Sequence, residues 1–274
     1  MLGRGRKTAS KPQGAELPRW ARPLEFPECP PDWSTGPPDF VGIGAQRSGT
    51  SWWYRGLEEH PGIAAVEGRA KELHYFNRFW QGEPPAGFAA EYHRMFPRPS
   101  GKLAGEWTPR YMLDFWAPAL LREAAPAAKL LVLLRDPVER YRSGVERAVR
   151  RSPEGRPIDL GRVSDAVHRG LYAAQLRRVL DHFPREQLLV LQFERCRDDP
   201  LEQLARTWRF LGLEPLDEVP ASMLEHGSPR EKPELPERWR RELAARLADD
   251  VRDLAALFED AIDLARWPDF SGLR

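Results

Sequence analysis

The stretch GAQRSGTS, Gly44 to Ser51, gathers residue types that wrap a phosphate: glycines that let backbone amides come close, an arginine, and hydroxyls from serine and threonine. Its spacing fits the phosphate-loop pattern G-x-x-x-x-G-K-[ST] at Gly44, Gly49 and Ser51. Thr50, however, stands where that pattern has lysine, and a basic residue comes three positions earlier, at Arg47. A second candidate is Arg135, which ends an apolar run. Asp136 follows as a helix N-cap, and Ser143, seven residues on, returns to the Asp136 face of that helix. Arginine there suits planar, multi-donor recognition of a second phosphate, and equally a structural salt bridge. The third group is Lys71-Glu72-Leu73-His74-Tyr75-Phe76, in which an extended backbone would point Glu72, His74 and Phe76 to one face. A carboxylate beside an imidazole can accept a proton, although the segment by itself reads as a surface ion pair.

These residues need elements that hold them. FVGIGA (40–45) is a short apolar strand running into the glycine turn, and SWWYRGLEEH (51–60) is a helix stopped by Pro61-Gly62. IAAV (63–66) reads as a further strand. KLLVLL (129–134) and QLLVLQF (187–193) are apolar runs of the kind buried in parallel sheets. Asp136-Pro137-Val138-Glu139 supplies an N-cap, a proline at N1 and an acid at N3, a strong helix start. Apolar residues from Val163 to Phe183 recur at helical spacing, another helix spans about 200–211, and Pro236 to Ala265 reads as one long amphipathic helix. The alternation predicts an α/β fold, a P-loop-like three-layer sandwich with a central parallel sheet flanked by helices. Both candidate phosphate loops then lie at the carboxyl ends of strands, where open α/β sheets bind ligands. Two phosphate sites on one rim fit a nucleotide phosphorylated at two separated positions.

Residues 1–38 are rich in proline, glycine and arginine and lack periodicity. They are expected to form an arm, disordered over 1–14 and laid over the domain between Trp20 and Trp33, with the domain proper at 39–274. With 42 basic against 41 acidic side chains the chain has no bulk charge for nucleic acid, so any basic site is local. Two cysteines, Cys29 and Cys196, make neither a disulfide framework nor a metal cluster, and no metal is expected. No apolar run approaches a membrane span, and the basic N-terminus lacks the apolar core of a secretory signal, so a cytoplasmic protein is expected. Oligomeric state is not written in these residues.

IGAQRSGTSWW followed by LLVLLRDPVERYRSG resembles the two cofactor-binding motifs of sulfotransferases that use 3′-phosphoadenosine-5′-phosphosulfate (PAPS). The resemblance continues through KELHYF (71–76), EWTPRYM (106–112), GLYAAQLRRVLDHFPREQLLVLQFERCRDDP (170–200) and FLGL (210–213), covering about residues 39–215. It is most similar to the heparan sulfate 3-O- and N-sulfotransferase branch and its bacterial relatives. The resemblance implies PAPS as donor and a hydroxyl acceptor, a glycan or a glycosylated or hydroxylated small molecule. It implies donor contacts from Gln46, Arg47, Ser48, Gly49, Thr50 and Ser51, with Trp52 stacking on adenine and Arg135 and Ser143 on the 3′-phosphate. Arg230, within HGSPREK (226–232), loosely matches a late basic loop. Glu72 is implied as the base, with His74 beside it, and Arg47 takes the place of a lysine at the phosphosulfate. The missing P-loop lysine then has a reason, since it serves β- and γ-phosphates and this donor has no γ-phosphate. In one further departure the family's E-K-T-P reads Glu106-Trp107-Thr108-Pro109, so that either Arg110 compensates for a lost lysine or Trp107 meets the acceptor. Two alternatives stand beside this reading. One is a P-loop-type kinase, which Thr50 disfavours; the other is a non-catalytic nucleotide-binding protein in which Glu72 is dispensable.

Overall fold

The apolar runs pair side by side. In a computed structural model describing residues 17–66, 71–152, 160–224 and 234–273, four strands form one sheet. They are β1 (Phe40–Gly44), β2 (Gly105–Trp107), β3 (Lys129–Leu134) and β4 (Leu188–Gln192), in the order β2-β1-β3-β4 with every neighbouring pair parallel. Side chains alternate across the sheet as strand geometry requires. Val41, Ile43, Leu130, Val132, Leu134, Leu188 and Val190 enter one core, and Phe40, Leu131, Leu133, Leu189 and Leu191 enter the other. Helices cover both faces, so the expected three-layer α/β sandwich is the observed one. The first core takes α2 (Phe88–His93), α3 (Ala117–Ala124), α4 (Pro137–Arg151), α6 (Tyr172–Leu180) and α10 (Glu237–Leu257). The second takes α1 (Thr50–Glu58), α7 (Phe193–Asp198), α8 (Pro200–Leu211) and the short α9 (Ala221–Leu224). The remaining helix, α5 (Leu160–His168), packs on α4.

The strand order fixes where a ligand can sit. From β1 the chain crosses to β2 on one side and then returns past β1 to β3 on the other. Neighbouring connections therefore diverge between the carboxyl ends of β1 and β3, the switch point at which open α/β sheets carry a crevice. The loops after those two strands are the ones that begin with Ala45 and Arg135.

Three expectations are corrected. The 63–66 segment contributes a single parallel bridge, Ile63 to Leu103, because the place beside β1 belongs to β2, the three residues Gly105 to Trp107, too short to read as a strand. The 163–183 stripe is two helices, α5 and α6, broken at Gly170. The second starts where Asp250 of α10 accepts from the amides of Ala173 and Ala174, both at 2.9 Å, a cap supplied from far along the chain. The last long helix stops at Leu257, after which the chain turns to bury Phe258, Ala261 and Ile262. The expectation for residues 1–14 lies outside the described residues; ahead of β1, Phe26 lies under the Arg94 guanidinium (3.9 Å to the ring centroid) and Ser34 bridges to Arg98. No helix among the described residues is long and apolar enough to cross a membrane.

Candidate active site

The loop after β1 is shaped by close packing. A Cβ on Gly42 would stand 2.0 Å from the Trp107 ring, so only glycine lets this indole lie across β1, where its Nε1 donates to the Gly44 carbonyl at 3.0 Å. Trp107 is fully buried there, which removes it from any contact with an acceptor. Gly49, at φ 89°, is the N-cap of α1 and has no side chain to cap the helix; a Cβ would meet the Phe193 ring at 2.6 Å. The first-turn amides of a helix lack intrahelical acceptors, so Gly49, Thr50 and Ser51 present N–H donors where Phe193 forces the backbone to pass. Ser48 is buried, Thr50 nearly so, and Ser51 is exposed. Gln46 Oε1 accepts from Arg169, itself paired with Asp165. Half-buried Trp52 sets its ring 6.1 Å from that of Phe193 and donates to the Met223 carbonyl at 3.2 Å.

The loop after β3 faces it. Asp136 caps α4 by accepting from Val138 and Glu139 amides at 2.8 and 3.1 Å. Arg135 lies over Phe193, 4.9 Å to the centroid, and 3.8 Å from Glu139. Arg47, itself at φ 71°, crosses the gap: Nη2 donates to Ser143 Oγ at 2.9 Å and lies 3.5 Å from Glu146. The residue matched to the phosphosulfate thus rests on the residue matched to the 3′-phosphate, and the two candidate anion sites are one continuous rim. Burial lowers the Arg47 pKa, and repulsion from Arg147, Arg135 and Arg150 acts in the same direction against the pull of Glu146. A bound anion would relieve that repulsion, which, with the uncapped α1 amides, is why the residues present fit a phosphorylated ligand.

Asp136 carries a pH signature. Burial pushes its carboxyl from 3.8 up to about 6, with Asp269 and Glu194 adding to the rise and the two capping amides opposing it. Between those values the folded chain holds a proton that the unfolded chain has released, so stability falls as pH rises through the window. At about 1.4 kcal/mol per pH unit the burden above pH 6 is roughly 3 kcal/mol. Asp136→Asn keeps the capping oxygen, removes this burden and loses about 0.3–1 kcal/mol of charge–helix attraction. The expected result is a net gain of about 2–3 kcal/mol at pH 8 that vanishes by pH 4, read from urea unfolding of both proteins; an equal gain at both pH values would contradict it.

The third group is held by hydrogen bonds in series. His74 Nε2 meets Glu72 Oε2 at 3.1 Å and His74 Nδ1 meets Asn77 Oδ1 at 2.8 Å. Asn77 Nδ2 donates to Asp114 Oδ2 at 2.8 Å, and Arg110 Nε donates to the same oxygen at 2.8 Å. The chain dictates its own protons. Asp114, clamped by Arg110, only accepts, so the Asn77 amide nitrogen faces it and the amide oxygen faces His74. Nδ1 of His74 is therefore the donor to Asn77, and Nε2 is the ring nitrogen that faces Glu72 Oε2. Glu72 Oε1 points the other way, 3.5 Å from Lys71 Nζ, and that ammonium also contacts Thr50 Oγ1 at 3.1 Å and Ser51 Oγ at 3.2 Å. Arg110 thus serves Asp114. His74 sits at φ 52°, so the segment is not evenly extended: Glu72 and His74 do meet, while Phe76 turns into the core at the start of a 3-10 turn, Phe76–Phe79. Arg47 and His74 are the non-glycine residues at positive φ among those described, and both lie at this site, where such strain tends to be kept.

Of the residues expected from the sequence, the structure gathers Arg47 to Thr50, Arg135 and Ser143 on the rim, and places Glu72 and His74 beside Thr50 and Ser51 through Lys71. Trp52 joins the rim through Phe193, Gln46 turns toward Arg169, and Arg230 lies outside the described residues. Sequence reasoning missed Lys71, Asn77, Asp114 and Phe193. Lys71 and Phe193 stand beside elements that were read, but nothing in their spacing says that they touch the loop.

The family model described as "Sulfotransferase domain" matches residues 37–244. Human heparan sulfate glucosamine 3-O-sulfotransferase 3B1 is 32% identical over 188 residues, 64% of this chain and 46% of the relative. Mouse heparan sulfate glucosamine 3-O-sulfotransferase 6 is 31% identical over 225 residues, 76% of this chain and 63% of the relative. The chain spans about half the length of the first of these. The crystal structure of a sulfotransferase from Alicyclobacillus acidocaldarius superposes with a TM-score of 0.68 at 28% identity, over 84% of this chain and 98% of that one.

Proposed function

The chain belongs to the sulfotransferase domain family, and from that premise we propose that it moves a sulfuryl group from PAPS to a hydroxyl of a glycan or a glycosylated metabolite. The glycan class is taken from relatives named for glucosamine 3-O-sulfation. What supports the reading at the site is one meeting of groups: Lys71 Nζ touches the hydroxyls of Thr50 and Ser51 and the Glu72 carboxylate, so a proton acceptor lies beside the uncapped α1 amides.

When bound, the donor supplies the sulfuryl group and a phosphate leaving oxygen. The amides of Gly49, Thr50 and Ser51 would hold the phosphosulfate end and Arg135 and Ser143 the 3′-phosphate, with Arg47 tying the two loops together through Ser143. Trp52, set edge-on to Phe193, offers a face for adenine. Glu72 takes the acceptor hydroxyl's proton on Oε1, the oxygen turned toward the loop. His74 holds Oε2 and is itself held by Asn77, Asp114 and Arg110, so the carboxylate cannot swing away.

The test is ligand choice. Adenosine 3′,5′-bisphosphate should stabilise the chain against heat, by about 2.7 kcal/mol at a hundredfold excess over Kd, while ATP with magnesium does so weakly and adenosine 5′-phosphate falls between. Equal shifts from all three would remove this reading. Release of labelled sulfate onto glycan acceptors then separates an enzyme from a nucleotide-binding protein without chemistry.

A further inference from the structure

The loop that holds the phosphosulfate lacks a compact cation of its own. Thr50 occupies the lysine position, and the one basic side chain of the loop, Arg47, is committed to Ser143 and Glu146 on α4. The EWTPRYM segment does not replace it, since Trp107 is buried against β1 and Arg110 is clamped on Asp114. A different cation reaches the place. Lys71 is brought in by the Glu72 segment, its backbone carbonyl fixed by the Trp107 amide at 3.2 Å. Its Nζ lies within hydrogen-bond range of both first-turn hydroxyls, its side chain is 18% exposed, and the base is 3.5 Å away.

We infer that Lys71 is a catalytic residue, whose ammonium carries the charge that develops on the phosphate leaving oxygen during sulfuryl transfer. This rests on the sulfotransferase reading above. In the step, the acceptor oxygen forms a bond to sulfur and its proton passes to Glu72 Oε1. The bond from sulfur to the bridging oxygen breaks, and its electron pair stays on the phosphate. Lys71 keeps its three protons and turns them from the hydroxyls of Thr50 and Ser51 to that oxygen, while the freed hydroxyls donate to the same anion. A preorganised donor aimed at developing charge typically supplies 10²–10³ in rate, and an ammonium on a flexible stem does this where a guanidinium spread over a plane does not. Standing between the first-turn hydroxyls and Glu72, the ammonium serves both ends of the transfer.

The experiment compares Lys71→Met and Lys71→Arg with the unmodified chain, using PAPS as donor and adenosine 3′,5′-bisphosphate as the binding probe. The two nucleotides differ by the sulfuryl group, so the role predicts a split. Lys71→Met should lower kcat by about 10²–10³ while leaving bisphosphate affinity within about twofold. Lys71→Arg should recover only part of that loss. Retained thermal stabilisation by the bisphosphate shows that each variant is folded. A kcat within about threefold of the unmodified chain would overturn the inference. So would a loss of bisphosphate affinity as large as the loss of kcat, which would make Lys71 a brace for the loop. If the unmodified chain neither binds the bisphosphate nor turns over PAPS, the sulfotransferase reading fails and this inference fails with it.

Discussion

Glu72→Gln is expected to lower turnover by about two to four orders of magnitude while product-nucleotide affinity stays near normal. Glutamine keeps the length of the side chain and its hydrogen-bonding reach, and loses only the basic oxygen, so the change isolates proton acceptance. The geometry sharpens the expectation. Oε2 is engaged by His74 at 3.1 Å, and Oε1 is the oxygen on the Lys71 side, beside the loop. His74→Ala should cost less, about tenfold to a hundredfold, because it removes the group that orients the carboxylate and leaves the carboxylate itself. Activity in Glu72→Gln close to the unmodified level would refute the assignment. A larger loss from His74→Ala than from Glu72→Gln would make His74 the base, with Glu72 orienting it. Both outcomes are read from kcat with PAPS and one accepted glycan, checked against bisphosphate binding.

The parts of this site that could be read from the sequence are local ones. Gly49, Thr50 and Ser51 follow a strand directly, and Asp136-Pro137-Val138-Glu139 caps a helix within its own four residues, so neighbouring letters carry the signal. Strands β3 and β4 were legible for the same reason, since the runs 129–134 and 187–193 are apolar on both faces, while the three-residue β2 was not. What escaped depends on contacts between distant residues. The break between α5 and α6 is stabilised by Asp250, 77 residues from the amide of Ala173 that it caps. Phe193 reads as the last residue of a strand, and only the fold places its ring beneath Gly49 and between Arg135 and Trp52. Lys71 was in plain view beside Glu72, but its distance to Thr50 belongs to tertiary structure. The even extension supposed for Glu72, His74 and Phe76 failed at His74, whose φ of 52° is held from outside the segment.

The group that holds it is Glu106, and removing that group is expected to have the largest effect on stability of any single change at the site. Glu106 is fully buried. Its Oε1 accepts from the hydroxyls of Tyr92 at 2.7 Å and Tyr111 at 2.9 Å, and its Oε2 from Thr108 Oγ1 at 2.5 Å and the Leu73 amide at 3.3 Å. Burial pushes its carboxyl pKa up, and those four donors work against the push. Two of the hydroxyls are relays: Thr108 Oγ1 also accepts from the His74 amide at 3.3 Å, and the Tyr111 hydroxyl from the Tyr75 amide at 3.0 Å. Three consecutive amides, those of residues 73, 74 and 75, thus end on one carboxylate, which is how a histidine is kept in a backbone region that side chains avoid. Glu106→Ala leaves these donors buried without an acceptor and opens a cavity, a loss of about 3–5 kcal/mol from a total that is typically 5–15. Glu106→Gln can keep its oxygen on Leu73 and Thr108 and turn its amide toward the tyrosines, so it should cost about half as much. Urea unfolding ranks the three proteins. Turnover measured where all remain folded should fall in Glu106→Ala as well, because His74 would relax out of its positive φ and release Glu72. A Glu106→Ala chain destabilised by less than about 1 kcal/mol would mean that the amides find other partners and that the strain at His74 is held elsewhere.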